Sequence, residues 1–239
     1  MNIAIIGYGK MGHEIEKHAP ELGCKVCAII DNPNDWESKS DSLINSDVAI
    51  EFTTPDVVVE NLKRLMNKGI PVVTGTTGWT SRLKEVEQYC AQSNGSVFYA
   101  SNFSIGVNLF FALNRYLAKL MSQYPEYSIM LEETHHIQKL DAPSGTAVSM
   151  FQEIIELHPK YNAWKFISEN PGKNEIAVAA HRIENVTGTH KLSYQSAIDS
   201  IKIEHVAHNR EGFAKGALMA AKWLPGKKGV YTMNDLLKL

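Results

Sequence analysis

Over the first hundred positions, short apolar runs alternate with stretches of helical periodicity. Asn2–Ile6 is an apolar strand, followed by the glycine turn Gly7-Tyr8-Gly9-Lys10-Met11-Gly12 and a helical stretch to about Leu22. Cys24–Ile30 is a second apolar run, ending at Asp31. Strand, turn, helix and strand together span about 30 residues, the size of a βαβ unit. The alternation continues with a strand at Asp47–Thr53 and a helix from Pro55 to about Lys68. That helix carries Val58, Leu62 and Leu65 on one face, and Gly69 ends it. Strand Pro71–Thr74, helix Ser81–Gln92 and strand Val97–Ala100 complete the series. Such alternation predicts a parallel sheet with helices on both faces.

From about Ser104 the pattern changes. Val107–Ser122 reads as a long apolar helix, with Leu109, Leu113, Leu117 and Leu120 near helical spacing. Tyr127–His136 reads as a strand and Ser144–His158 as a helix. Asn162–Asn174 is polar, contains Pro171-Gly172, and is expected to be a mobile loop. Glu175–Ile183, Thr189–Ser196 and Ser200–Ala207 alternate like strands buried on one face, with turns at Asn185–Gly188 and Ala197–Ser200. The expected architecture is α/β. A Rossmann-type parallel-sheet dinucleotide domain takes residues 1–104 with 210–239, because helix Arg210–Leu224 and the tail Val230–Leu237 are expected to return to it. An α+β domain with a mixed sheet, for the substrate, takes residues 105–209.

Composition narrows the classes. The 239 residues are 44% hydrophobic and 21% charged, which suits a soluble globular protein with a real core. A net charge of -2 argues against a general nucleic-acid binder. No apolar run approaches the roughly 18–20 residues of a membrane helix, and the start is not a signal peptide. Cys24, Cys27 and Cys90 form no disulfide framework. The Cys24–Cys27 pair lies in an apolar run, so a buried strand is expected there rather than a redox or zinc pair, in a reducing cytoplasm.

Each early strand ends in small or polar residues: Gly7-Tyr8-Gly9, Asp31, Thr53-Thr54, Thr74-Gly75-Thr76-Thr77-Gly78 and Ala100-Ser101-Asn102. In an open parallel sheet, ligands bind beyond these carboxyl ends. Gly7 permits the tight turn, Gly9 lets a pyrophosphate approach the backbone, and Gly12 lets helix and strand pack closely. Asp31, about 20 positions past Gly12, is placed to accept bonds from ribose hydroxyls. Its carboxylate would repel a 2′-phosphate, and Asn32-Pro33-Asn34-Asp35-Trp36 supply no cation beside it. NADH is therefore expected to be preferred over NADPH.

Residues 132–147 carry the densest chemistry, with His135, His136 and Lys139 ahead of a helix start at Pro143-Ser144-Gly145-Thr146. Free N–H groups at a helix start bind anions, and the three basic side chains can hold carboxylates or deliver protons. Lys139 can stabilise developing negative charge, and Asp141 can either orient Lys139 or cap the turn. Adjacent histidines on a regular strand point to opposite faces, so only one of the pair can face a substrate squarely. That geometry, and the lack of an HExxH-type spacing, give no reason to expect a metal. His205, His208 and Arg210 form a second cationic cluster, in which Arg210 can grip a carboxylate bidentately. A nicotinamide domain joined to a cationic pocket suggests hydride transfer to a small anionic substrate.

The chain resembles the 4-hydroxy-tetrahydrodipicolinate reductase (dihydrodipicolinate reductase) family. The resemblance lies in Gly7–Gly12, Phe52–Pro55, Gly75-Thr76-Thr77-Gly78, 101–108, Glu133–Ala147 and Ala217–Leu224 with Gly226-Lys227. It implies NAD(P)H-dependent reduction of 4-hydroxy-tetrahydrodipicolinate to tetrahydrodipicolinate, with loss of water, in lysine and diaminopimelate biosynthesis. It implies His135 as the acid/base residue, Lys139 as a proton donor, and His136 as a substrate contact. Gly145 and Thr146 would hold a carboxylate of the dicarboxylate, while Gly75, Thr76, Thr77, Ala100, Ser101, Asn102 and Phe103 would line the nicotinamide. It also implies a homotetramer built through the substrate domain. Two departures concern the cofactor: many members have GxxGxxG where this chain has GxGxxG, and many follow the ribose acid with Arg where this chain has Asn32.

Overall fold

The computed structural model describes every residue from 1 to 239 except Arg210. In chain order its strands are β1 (Asn2–Ile6), β2 (Lys25–Ile30), β3 (Val48–Glu51), β4 (Val72–Thr74), β5 (Ser96–Tyr99), β6 (Ser128–His135), β7 (Ala163–Phe166), β8 (Glu175–Arg182), β9 (Gly188–Gln195), β10 (Ser200–Ala207) and β11 (Gly229–Tyr231). The helices are α1 (Lys10–His18), α2 (Asp35–Ser38), α3 (Ser40–Ile44), α4 (Val58–Asn67), α5 (Leu83–Gln92), α6 (Ile105–Met121), α7 (Gly145–Leu157), α8 (Glu211–Trp223) and α9 (Met233–Leu237). Contacts divide the chain into two compact units, Met1–Asn108 with Glu211–Leu239, and Leu109–Arg210.

The first unit is a six-stranded sheet in the order β11-β5-β4-β3-β1-β2, with every pairing parallel. Successive side chains of a strand point to opposite faces, and β1 shows the result. Ile3 and Ile5 pack with Ala214, Ala217, Leu218 and Ala221 of α8, whereas Ala4 and Ile6 pack with Leu62 and Leu65 of α4 and Val86 of α5. A strand buried on both sides reads as a continuous apolar run, which is why β1 is visible in the sequence. The chain runs from β1 to its neighbour β2 and then crosses back past β1 to β3, so the carboxyl ends of β1 and β3 form a switch point where a crevice opens. The first helix ends earlier than its periodicity suggests. Pro20 cannot continue it, so α1 closes at His18 and a 3₁₀ turn, Pro20–Leu22, leads to Gly23 at φ 69°. All three cysteines are free thiols.

The second unit is a five-stranded mixed sheet, β10-β9-β6-β8-β7. β6 pairs parallel with β8 and antiparallel with β9. Its inner face, Ile129, Leu131, Ile176, Val178, Leu192 and Tyr194, packs against Phe110, Ala118 and Met121 of α6 and Ala147, Met150, Phe151 and Ile154 of α7. Leu109, Leu113, Tyr116 and Leu120 of α6 stay exposed.

One expectation is overturned here. The stretch 162–174, expected to be a mobile loop, contains edge strand β7 and a 3₁₀ turn at Ile167–Glu169. The cause is two aromatic residues two positions apart. Trp164 packs against Phe151 at a tilt of 30°, with ring centroids 4.8 Å apart, and meets Phe166 edge-on. Four residues flanked by polar chain were too short a run to register as a strand. Among the described residues no helix is long and apolar enough to cross a membrane.

Candidate active site

The carboxyl ends of β1, β2 and β3 open into a cleft of about 620 Å³, lined by Gly7, Tyr8, Gly9, Asp31, Asn32 and Thr53 among others. The glycines there have separate reasons. Gly7 sits at φ 90°, and a Cβ on it would lie 2.1 Å from the Phe52 carbonyl oxygen. A Cβ on Gly12 would meet the Gly7 oxygen at 2.5 Å, whereas one on Gly9 would have nothing within 4 Å. The first two are fixed by packing, and Gly9 leaves open backbone at the start of α1, as close approach of a pyrophosphate requires. Lys10 is exposed and Met11 half-buried in the first turn of α1. Asp31 is exposed at the end of β2, and one of its oxygens accepts the Tyr8 N–H at 2.6 Å. These features fit a dinucleotide. The structure also places a cation that a search of adjacent positions misses. Arg64 reaches the cleft from α4, its guanidinium 5.3 Å from the Trp36 ring centre.

The residues expected around the nicotinamide follow β4 and β5. Ser101 is exposed, and the Ala100 N–H bonds to the Thr74 carbonyl. Asn102 caps the next turn by accepting the Ser104 N–H at 2.9 Å. Phe103 is buried between Phe52 and Phe98, so its ring belongs to the core. Gly75 has no room for a side chain, since a Cβ would lie 2.0 Å from the Phe52 ring. Thr77 is exposed, and Thr76 is turned inward. The Thr76 hydroxyl donates to Glu51 at 2.8 Å and accepts the Thr53 N–H at 2.8 Å. Glu51, fully buried, also accepts the Thr53 and Thr74 hydroxyls. Burial pushes its pKa up, and the hydroxyls only partly offset that.

In the second unit, β6 alternates strictly, with Ile129, Leu131, Glu133 and His135 on the buried face. His135 is its last residue, so the chain turns before His136, which is half-buried with its Nδ1 unpartnered. Strand geometry thus separates the two histidines. The neighbouring strands then bring partners. Glu133 lies opposite His190 of β9, and His135 opposite Arg182 of β8. His135 is 7% exposed, its ring 5.0 Å from that of His190 and its Nδ1 3.7 Å from Glu133. Gly188 leaves space beside its Nε2, where a Cβ would approach to 3.1 Å. Burial pushes the His135 pKa down to about 4, aided by nearby His190, Lys139 and Arg182 and opposed by Glu133.

Glu133 is fully buried. Both its oxygens accept the Ser144 N–H, at 3.1 and 3.0 Å, and Arg182 reaches it at 3.3 Å. Burial alone would raise this carboxyl; the bonding groups of His190 and Ser144 and the charge on His135 outweigh it and hold the pKa at about 2. Ser144 is the N-cap of α7, its hydroxyl accepting the Ala147 N–H and meeting His190 Nε2 at 3.0 Å. At 2% exposure it faces inward, leaving Gly145 and Thr146 to present the first N–H groups of α7. Lys139 pairs with Asp141 at 2.9 Å, so the orienting role open to Asp141 is the one its geometry shows. His205 is half-buried beside Phe110 and lies across from His190, whereas His208 is exposed. Arg210 lies outside the described residues.

Glu133, His190 and Arg182 were not among the residues singled out from sequence. Their one local signal is the buried face of β9, where His190 occupies a position in register with Leu192 and Tyr194. Glu133, His135 and His190 are close enough together to hold a metal ion. The Glu133 oxygens are, however, already engaged by Ser144 and a guanidinium.

A glycine-turn cleft on a parallel sheet, in a chain that also carries a second unit with a cationic turn ahead of a helix start, is the arrangement of a pyridine-nucleotide-dependent oxidoreductase. Family models for the N- and C-termini of dihydrodipicolinate reductase match residues 1–103 and 106–237. The chain belongs to the dihydrodipicolinate reductase family. It is 43% identical to the 4-hydroxy-tetrahydrodipicolinate reductase of Christiangramia forsetii, over 99% of this chain and 98% of that one. The reductase of Methanoculleus marisnigri is 34% identical, over 84% of this chain and 81% of that one. The solved dipicolinate-bound dihydrodipicolinate reductase of Paenisporosarcina sp. TG-14 superposes with a TM-score of 0.76 at 25% identity, covering 97% of each chain. An amine dehydrogenase from Mycobacterium smegmatis, with a TM-score of 0.59 and 8% identity, shares the fold alone.

Proposed function

We infer that this chain catalyses the reaction for which its relatives are named, the reduction of 4-hydroxy-tetrahydrodipicolinate to tetrahydrodipicolinate in lysine and diaminopimelate biosynthesis. The observation that carries it is the gathering of His135, His136 and Lys139 ahead of the open N-terminus of α7. Dipicolinate, bound in the Paenisporosarcina enzyme, has the shape of the ligand we assign to this turn. Gly145 and Thr146 N–H groups and the Lys139 ammonium hold its carboxylates, with Arg210 as a bidentate partner. A reduced nicotinamide dinucleotide, held by Gly7–Gly12, Asp31, Gly75–Thr77 and Ala100–Phe103, supplies the hydride. Thr76 and Phe103 contribute there through their backbone, their side chains being buried.

The protein's share of the chemistry is proton delivery. With a pKa near 4, His135 is neutral in the free protein at pH 7. A dicarboxylate brings negative charge beside it, which favours the imidazolium, so substrate binding recruits the proton that His135 holds as acid. That proton leaves with the 4-hydroxyl as water while the ring gives up a neighbouring proton. After hydride transfer Lys139 returns a proton to the ring and steadies the charge developing there, so one hydride and one net proton are consumed.

The cleft lining favours NADH. Asp31, Asp56 and Glu60 oppose a 2′-phosphate, and Arg64 is the single lining cation among the described residues. The testing experiment is steady-state turnover of freshly generated 4-hydroxy-tetrahydrodipicolinate with each nucleotide. Turnover is expected, with kcat/KM higher for NADH and a measurable rate with NADPH through Arg64. No turnover would end the functional reading, and a higher kcat/KM with NADPH would end the preference. We place the protein in the cytoplasm, where a biosynthetic reductase draws on reduced nicotinamide. A homotetramer is supported by the exposed α6 row Leu109, Leu113, Tyr116 and Leu120 and by the open edge of β10. Light scattering should give four times the 26.6 kDa chain mass; a monomer mass at micromolar concentration would refute it.

A further inference from the structure

We propose that Glu133 is the positioning residue of the substrate site, one buried carboxylate that ties His135, the Lys139 turn and the start of α7 into a single constellation. The proposal rests on the reading above of which residues meet the substrate. It adds a residue that touches none of the reacting atoms and acts through all three elements that do.

The geometry has three arms. The first runs to α7: both oxygens of Glu133 receive the Ser144 N–H, fixing the residue before the two N–H groups offered to a carboxylate. The second runs through Arg182. This guanidinium meets Glu133 at 3.3 Å and also donates to the carbonyl of Lys139 at 3.1 Å and to that of Asp141. The fork therefore carries the position of Glu133 into the backbone of the turn that presents Lys139. The third arm is electrostatic: the carboxylate lies 3.7 Å from Nδ1 of His135 and favours the charged ring, against the opposing effects of His190, Lys139 and Arg182. Glu133 has no exposed surface and cannot relax toward water if any arm is broken. A buried carboxylate with this many directed partners is costly to place unless they are all kept, so its presence fixes their relative positions.

The test uses Glu133→Gln, Glu133→Asp and Lys139→Ala in the full-length protein. Substrate kcat and kcat/KM are measured from pH 5 to pH 9, with NADH affinity and melting curves alongside. The pH profile compared between variants is that of kcat, which reports His135 in the substrate complex, where the bound dicarboxylate favours its imidazolium. E133Q is expected to lose 10-fold to 100-fold in kcat/KM for the substrate while NADH affinity stays within two-fold. Its pH profile should also move. Without the neighbouring negative charge the imidazolium of His135 is disfavoured, so the inflection due to His135 shifts to lower pH; a merely structural change would lower the profile without moving it. E133D keeps the charge and should retain the wild-type inflection with an intermediate rate. The proposal is overturned if E133Q folds and keeps kcat/KM within two-fold, or if its profile falls without moving. Should E133Q not fold, wild-type turnover by E133D, whose carboxylate is withdrawn by one methylene, overturns it instead. K139A separates the two levels. Wild-type turnover by K139A would remove the reading of the site itself, whereas an impaired K139A beside a normal E133Q removes only the role of Glu133.

Discussion

Two glutamates are fully buried near strand ends, one in each unit, and their surroundings drive them in opposite directions. Glu51 ends β3 among the hydroxyls of Thr53, Thr74 and Thr76, and its pKa is raised. Glu133 lies two residues from the end of β6 among Arg182, His135, His190 and a backbone N–H, and its pKa falls to about 2. Burial is common to both, so it does not decide the outcome. The hydroxyls around Glu51 do not outweigh its burial, whereas the bonding groups of His190 and Ser144 and the charge on His135 outweigh that of Glu133. The first unit thus uses a carboxyl as a hydrogen-bonding hub joining β3 to the turn after β4. The second uses one as a fixed charge.

The largest break in this comparison comes from Arg182→Met. It leaves Glu133 buried without the guanidinium paired with it at 3.3 Å, and such unpairing costs about 3 kcal/mol, the low end of the range because Arg182 is partly exposed. Urea unfolding should show that loss, with the first unit's nucleotide affinity unaffected. A change under about 0.5 kcal/mol, the size usual for a surface substitution, would mean that Glu133 is ionised by its other neighbours alone.

A smaller effect is expected from Glu51→Gln, and it depends on pH. The folded pKa of Glu51 lies above its unfolded value, so the fold binds the proton more tightly. Stability from this group is complete below the ordinary carboxylate pKa of 4.5 and is lost as pH rises through the raised value. The glutamine variant has no such loss. Its melting temperature relative to wild type should therefore be more favourable at pH 8 than at pH 5. Parallel curves would show Glu51 to be ionised like Glu133, and the contrast would disappear.

The sequence makes legible what repeats locally. β1 is visible because both its faces are buried, and α7 because Ser144 and Gly145 mark its start. The glycine turn and Asp31 lie within one βαβ unit, so spacing alone brings them together. The residues around Glu133 are a different case. His190 and Arg182 stand 57 and 49 positions from it and join it only through the registers of β6 with β9 and β8. Arg64 escaped for the same reason, arriving at the cleft from α4 and not from the loop after Asp31. The short aromatic pair of β7 lacked the length that period-two alternation needs to show. Where contacts follow the chain they can be read from it; where they follow strand order, the order has to be seen.

The first unit is assembled from two separated stretches of chain, 1–108 and 211–239. Its sheet is finished by β11, and one side of its core is filled by Ala214, Ala217, Leu218 and Leu224. On a translating ribosome, the earlier of these two segments therefore waits for the later one, while the continuous Leu109–Arg210 unit emerges whole in between. For that interval the nascent chain carries a parallel sheet with one face uncovered and its β5 edge unpaired, a surface suited to chaperone capture.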